Sequence, residues 1–220
     1  MKHPIISVFE NERNAEIAKQ QSAYMKNRFE YFGLKTPFRR DLQKPFLLKE
    51  NLPTKAEAFD FVQQLWNEPQ RELHYFAQEL LAKYMKKLAK EDLKLIEWLI
   101  VRNSWWDTID FIATKSLAYY FKQYPEEINP AVDRWLKSEN IWLQRSALLF
   151  QLKYKKDTDL ELLEEIILKL NHSKEFFIKK AIGWVLRENS RMNEKWVIDF
   201  VAKHELQPLS KKEALRLITS

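Results

Sequence analysis

The 220-residue chain contains no cysteine and only two glycines, Gly33 and Gly183. The first absence excludes disulfides and thiolate chemistry, and makes a cytoplasmic location the simplest expectation. The second argues against an α/β enzyme, which needs glycine for phosphate loops and tight turns, and in favour of helices joined by capped turns. Long apolar runs are missing too. The most apolar stretch, 160–170, is interrupted by Glu161, Glu164, Glu165 and Lys169, so no segment is expected to span a bilayer. The opening Met1-Lys2-His3-Pro4 soon meets Glu10, Glu12 and Arg13, which is not the pattern of a secretory signal. The four histidines, His3, His74, His172 and His204, are scattered without HExxH spacing, and neither GxxxxGK[ST] nor GxGxxG occurs. No metal and no cofactor are therefore expected.

What is present is charge and helical punctuation. Lys and Arg number 37 against 31 Asp and Glu, a formal charge of +6. That balance permits nucleic-acid binding without requiring it. Thr36-Pro37 reads as an N-cap followed by proline at the first helical position, just after Gly33 has closed a preceding helix. Thr54 with Glu57 and Ser210 with Glu213 have capping-box spacing. Phe59, Val62, Leu65 and Trp66 form an apolar stripe at helical period, as do Phe76, Leu80 and Tyr84. Trp66, Trp98, Trp135 and Trp196 lie in such patterns and read as packing between helices. The expected fold class is all-α, with no strand.

A degenerate repeat runs through this pattern. Ser104-Trp105-Trp106-Asp107, Ser138-Glu139-Asn140-Ile141-Trp142 and Ser173-Lys174-Glu175-Phe176-Phe177 each put a serine and aromatics before an amphipathic helix. Their serines stand 34 and 35 residues apart. A period near 35 containing two helices is the signature of a HEAT-like helical solenoid. The expected pairs are 54–66/69–87, 91–102/104–123, 130–137/140–154, 158–171/174–190 and 193–204/210–219, after an N-terminal helical cap over 1–50. No Pro/Gly/Ser-rich linker divides the chain, and one continuous domain, 1–220, is expected.

In a solenoid, residues one repeat apart stack along one face. Asp110, Arg145 and Lys180 are each 35 residues apart, Trp106 lies one turn before Asp110, and Trp184 one turn after Lys180. The repeat thus predicts a single surface carrying a carboxylate, an arginine, a lysine and two indoles.

These same stretches, Ser104–Asp110, Asn140–Arg145 and Ser173–Glu188, resemble the signature segments of the AlkD family of DNA alkylation repair glycosylases. Tyr24-Met-Lys-Asn and Gly33–Arg40 resemble that family's N-terminal segment, and Leu209–Ala214 its last repeat. The resemblance implies a concave, positively charged groove for duplex DNA and hydrolysis of the N-glycosidic bond of N3- and N7-alkylpurines. It implies Asp110 as the catalytic carboxylate and Trp106 and Trp184 flanking the lesion's deoxyribose. Arg145 would hold the DNA backbone, and Tyr24 would belong to the same cleft. Thr36, Arg40, Lys153, Lys180 and Arg187 complete the expected DNA-contacting set.

Those residue types suit the reaction. An alkylated N3 or N7 leaves the purine cationic and already a good leaving group, and its departure develops positive charge on the sugar. An ionised aspartate near C1′ stabilises that charge and positions water, while indole faces attract cations. A neutral base gains little from such a site. The AlkD type is thought to grip the backbone without a base pocket, unlike most base-processing enzymes. The sequence has neither a glycine-rich wedge loop nor a helix-hairpin-helix signature, and no Schiff-base lysine is marked. A monomeric, monofunctional enzyme is expected, acting in the cytoplasm and on the nucleoid. The competing readings are a HEAT-like interaction scaffold and a non-catalytic reader of DNA damage; the Trp106–Asp110–Arg145–Trp184 set separates the enzyme from both.

Overall fold

A computed structural model of the chain describes residues 3–218. Among them every regular element is helical, and one isolated bridge joins Glu30 to Gln70. They divide into two compact units, with the boundary between Ala89 and Lys90. None of the described helices is long and apolar enough to cross a membrane.

The first unit holds α1 (Ile5–Asn11), α2 (Ala15–Tyr24), α3 (Thr36–Gln43), α4 (Lys55–Trp66) and α5 (Arg71–Ala82). The Thr54–Glu57 capping box forms as expected, each side chain accepting from the other's backbone N–H at the start of α4. Val62, Leu65, Trp66, Phe76, Leu80 and Tyr84 are all buried, so both stripes are core. Two punctuation signals act differently from expectation. Lys35 holds the N-cap of α3, Thr36 is its first residue, and no side chain caps it. Gly33 closes no helix: α2 ends at Tyr24, and Lys26 and Asn27 turn the chain with positive φ. Gly33 instead lies in the extended segment beyond, at φ +93°, where a Cβ would stand 2.0 Å from the Asn14 carbonyl oxygen.

That segment is held by a buried carboxylate. Glu72, fully buried in the first turn of α5, accepts the backbone N–H groups of Phe32, Gly33 and Leu34 at 2.9–3.1 Å. Burial pushes its pKa up, and the backbone N–H bonds pull against that shift. The arrangement needs residue 33 to have no side chain, a requirement distinct from that of a helix stop.

The second unit holds α6 (Leu93–Ile100), α7 (Trp106–Ile112), α8 (Ala118–Gln123), α9 (Ile128–Lys137), α10 (Ile141–Leu149), α11 (Leu160–Leu170), α12 (Phe176–Lys203) and α13 (Pro208–Ala214). The stretch expected as one helix from 104 to 123 is α7 and α8 joined by a π-turn at Ala113–Leu117. The two helices expected at 174–190 and 193–204 run together as α12, kinked at Asn193 (φ −134°, ψ 52°). Ser210 forms no capping box. Pro208 starts α13 and Ser210 lies inside it, its Oγ donating to the Lys179 carbonyl at 3.0 Å. Residue 219 of the last expected helix lies outside the described residues.

The repeat shows itself in the bonds between elements. Tyr84, Tyr120 and Tyr154 stand 36 and 34 residues apart. Each donates its hydroxyl to a backbone carbonyl about one repeat back: Pro53, Lys90 and Ala118 respectively. Side-chain pairs repeat the same offset, including Glu97 with Trp135, Asp110 with Arg145 and Glu188 with Lys153. Polar groups buried between stacked helices must find partners, and the neighbouring repeat is where they find them.

Replacing Gly33 by alanine should destabilise the protein by about 3 kcal/mol, since left-handed backbone and a clash with backbone oxygen act together. Urea denaturation checks this; a loss below ~1 kcal/mol would show that the segment yields easily.

Candidate functional site

Asp110 is in α7, one turn after Trp106, and Arg145 is in α10, which Asn140 caps by accepting the N–H groups of Trp142 and Leu143. The two meet in a forked pair. Arg145 Nε donates to Asp110 Oδ1 at 2.8 Å, and Nη2 to Oδ2 at 3.0 Å. Nη1 donates to the Phe177 carbonyl in α12 at 2.5 Å. The Arg145 side chain is only 5% exposed and Asp110 18%. The guanidinium is thus enclosed by protein, whereas the Asp110 side chain keeps partial exposure. Arg145 holds both oxygens of Asp110 in a fixed orientation.

Burial raises the Asp110 pKa above the usual carboxylate range; the hydrogen bonds and charge of Arg145 oppose the shift, and the nearby Asp107 charge adds to it. The backbone around Asp110 is also specialised. Thr114 Oγ1 donates to the Asp110 carbonyl at 2.7 Å, and the π-turn begins three residues after Asp110. Such turns recur at functional sites because they re-aim a helix by one residue.

Aromatic rings buttress the pair. Trp105, Trp142 and Phe177, from the three repeat motifs, pack with centroids 4.9–5.6 Å apart. Phe177 also stands 6.0 Å from the Arg145 guanidinium carbon. Sequence reasoning gave Trp105 and Phe177 no role, although their positions in equivalent motifs could have signalled a stack. Trp106 and Trp184 are both half-buried.

Lys180 and Trp184 lie on α12, one turn apart, as the spacing required. Lys180 and Arg187 are both paired with Glu213 of α13. Lys153 is exposed and donates to Glu188 at 3.0 Å. In the first unit Tyr24 is 72% exposed at the end of α2, and Thr36 and Arg40 are exposed on α3. Arg39, adjacent to Arg40 in sequence, is instead buried and bound to Gln43 and Glu79. No group of three or more His, Asp or Glu among the described residues is disposed to hold a metal ion.

The sequence matches the family described as DNA alkylation repair enzyme over residues 5–218. A solved structure from Enterococcus faecalis, described as a predicted DNA alkylation repair enzyme, is 30% identical; it superposes with a TM-score of 0.87 over 94% of this chain and 97% of that one. AlkD2 from Streptococcus mutans, 18% identical, shares the fold with a TM-score of 0.64 over 92% and 98% of the two chains. The protein smu.31 from Streptococcus mutans UA159, also 18% identical, does so with 0.60 over 81% and 96%. No curated protein matches the chain.

Replacing Arg145 by glutamine leaves Asp110 half-buried without its counter-charge. Burial already raises its pKa, and losing the hydrogen bonds and charge of Arg145 should raise its titration midpoint further. Carboxyl ¹³C NMR of aspartate-labelled protein measures this; an unmoved midpoint would mean that Arg145 does not control the charge state of Asp110.

Proposed function

Because the chain belongs to the DNA alkylation repair enzyme family, matched across 5–218, we propose that it is a glycosylase hydrolysing the N-glycosidic bond of cationic N3- and N7-alkylpurines in duplex DNA. One observation carries the reading. Asp110 is a carboxylate fixed by two N–H bonds from a buried arginine, on a side chain that keeps partial exposure to solvent. A group so held costs little reorganisation when positive charge develops beside it. A plain scaffold has no use for a half-buried, pre-aimed carboxylate one turn from an indole.

Asp110 takes the catalytic part in this proposal. Ionised, it faces the deoxyribose C1′, stabilises the oxocarbenium-like sugar and orients the attacking water. Trp106 and Trp184 supply π-faces to the cationic base and sugar, each stabilising by ~0.5–2 kcal/mol. Arg145 acts through Asp110, keeping it ionised and aimed. Lys153, Lys180 and Arg187, with Tyr24, Thr36 and Arg40, grip the DNA backbone, so that the base needs no pocket of its own. The product is an abasic site, formed by hydrolysis alone. The protein acts as a monomer, in the cytoplasm and on nucleoid DNA, without metal or cofactor.

Single-turnover release of 7-methylguanine from a labelled duplex tests the proposal against an undamaged control. Wild type should exceed the spontaneous rate, and Asp110→Asn should lose at least ~100-fold while still binding duplex. Release undiminished in the mutant would remove Asp110 from the chemistry. Binding without any release would leave a damage reader, and the absence of both would leave a scaffold.

A further inference from the structure

Lys180, Trp184 and Arg187 share one face of α12, spaced by four and three residues. Against that face α13 delivers Glu213. One of its oxygens accepts from Lys180 Nζ at 2.8 Å, and the other accepts from Arg187 Nη1. The Glu213 side chain is 14% exposed, and its pKa is lowered, chiefly by the Lys180 bond. It therefore stays ionised between the two cations.

The backbone is shaped for this approach. A Cβ at Gly183 would stand 2.4 Å from the Glu213 Cβ and 2.9 Å from the Ser210 carbonyl oxygen. The Ser210 hydroxyl, in turn, is bonded to the Lys179 carbonyl. The second of the chain's two glycines thus sits where α13 comes down onto α12, one residue before Trp184.

We propose that Glu213 is a positioning counter-charge for the glycosylase site. It fixes Lys180 and Arg187 on either side of Trp184 and cancels one of their two positive charges beside that indole. The inference rests on the glycosylase reading above. Two uncancelled cations would grip phosphate more strongly, yet they would also repel the cationic base and the positive charge that develops on the sugar. Glu213 trades non-specific affinity for chemistry on a cationic lesion, so its removal should move binding and catalysis in opposite directions.

Glu213→Gln provides the test. Binding to undamaged duplex should tighten, with the log–log salt slope steeper by about 0.9 for the cation released. Single-turnover excision of 7-methylguanine at saturating protein should slow by roughly tenfold. Adding Lys180→Gln to that variant restores the charge balance and should return both quantities toward wild type. Lys180→Gln alone should do the reverse of Glu213→Gln in binding to undamaged duplex, with a salt slope shallower by about 0.9. That variant keeps the test decisive even if Glu213→Gln fails to fold. An unchanged slope and rate in Glu213→Gln would overturn the proposal. So would binding and excision weakened together and not rescued by the double variant, which would leave Glu213 a helix–helix brace. A wild type that releases no base would defeat the glycosylase reading instead, while the slopes on undamaged duplex would still decide whether Glu213 restrains the two cations.

Discussion

Arg145 joins its own repeat to the one before and the one after. Its side chain leaves α10, takes both oxygens of Asp110 on α7, and uses its remaining terminal nitrogen on the Phe177 carbonyl of α12. A buried guanidinium must satisfy its donors, and leaving them unmatched costs several kcal/mol. That requirement ties the register of the second unit to the aim of one carboxylate. A slip of any of the three helices would leave a buried charge without its partner. Phe177, packed with Trp105 and Trp142, also places its ring 6.0 Å from the Arg145 guanidinium carbon.

The first unit solves a similar problem with the opposite charge. Glu72 is buried and takes its hydrogen bonds from three consecutive backbone N–H groups. Gly33 makes that possible, because only a residue without Cβ fits at φ +93° against the Asn14 carbonyl. In both units a buried carboxylate organises the local backbone or is organised by it. Of these two, only the Asp110 side chain keeps any exposure, and this is what separates a candidate reactive group from a structural one.

The two glycines have distinct explanations. Gly33 is required by conformation, Gly183 by proximity. Scarcity of glycine pointed correctly to a helical chain, and the two that remain stand where a Cβ would collide with backbone or with a facing helix. Neither reason can be read from neighbours in sequence. The atoms that forbid a side chain at Gly183 belong to residues 27 and 30 positions further on.

The sequence by itself determined the helical class, most helix positions, the period near 35 and the placing of Asp110 and Arg145 on one face. Those properties follow from local propensity and periodic spacing, which any stretch of chain carries within itself. Tertiary structure alone decided where each charge is directed. It turned Arg145 inward to Asp110 and buried Arg39 against Glu79. It brought Glu213 to Lys180 and Arg187, moved Ser210 from an expected cap to a helix–helix bond, and set a π-turn after Asp110. An arginine on an amphipathic pattern has the same local sequence whether it meets phosphate or a carboxylate. Only the desolvation imposed by the next repeat, and the partner that repeat supplies, tells the two apart.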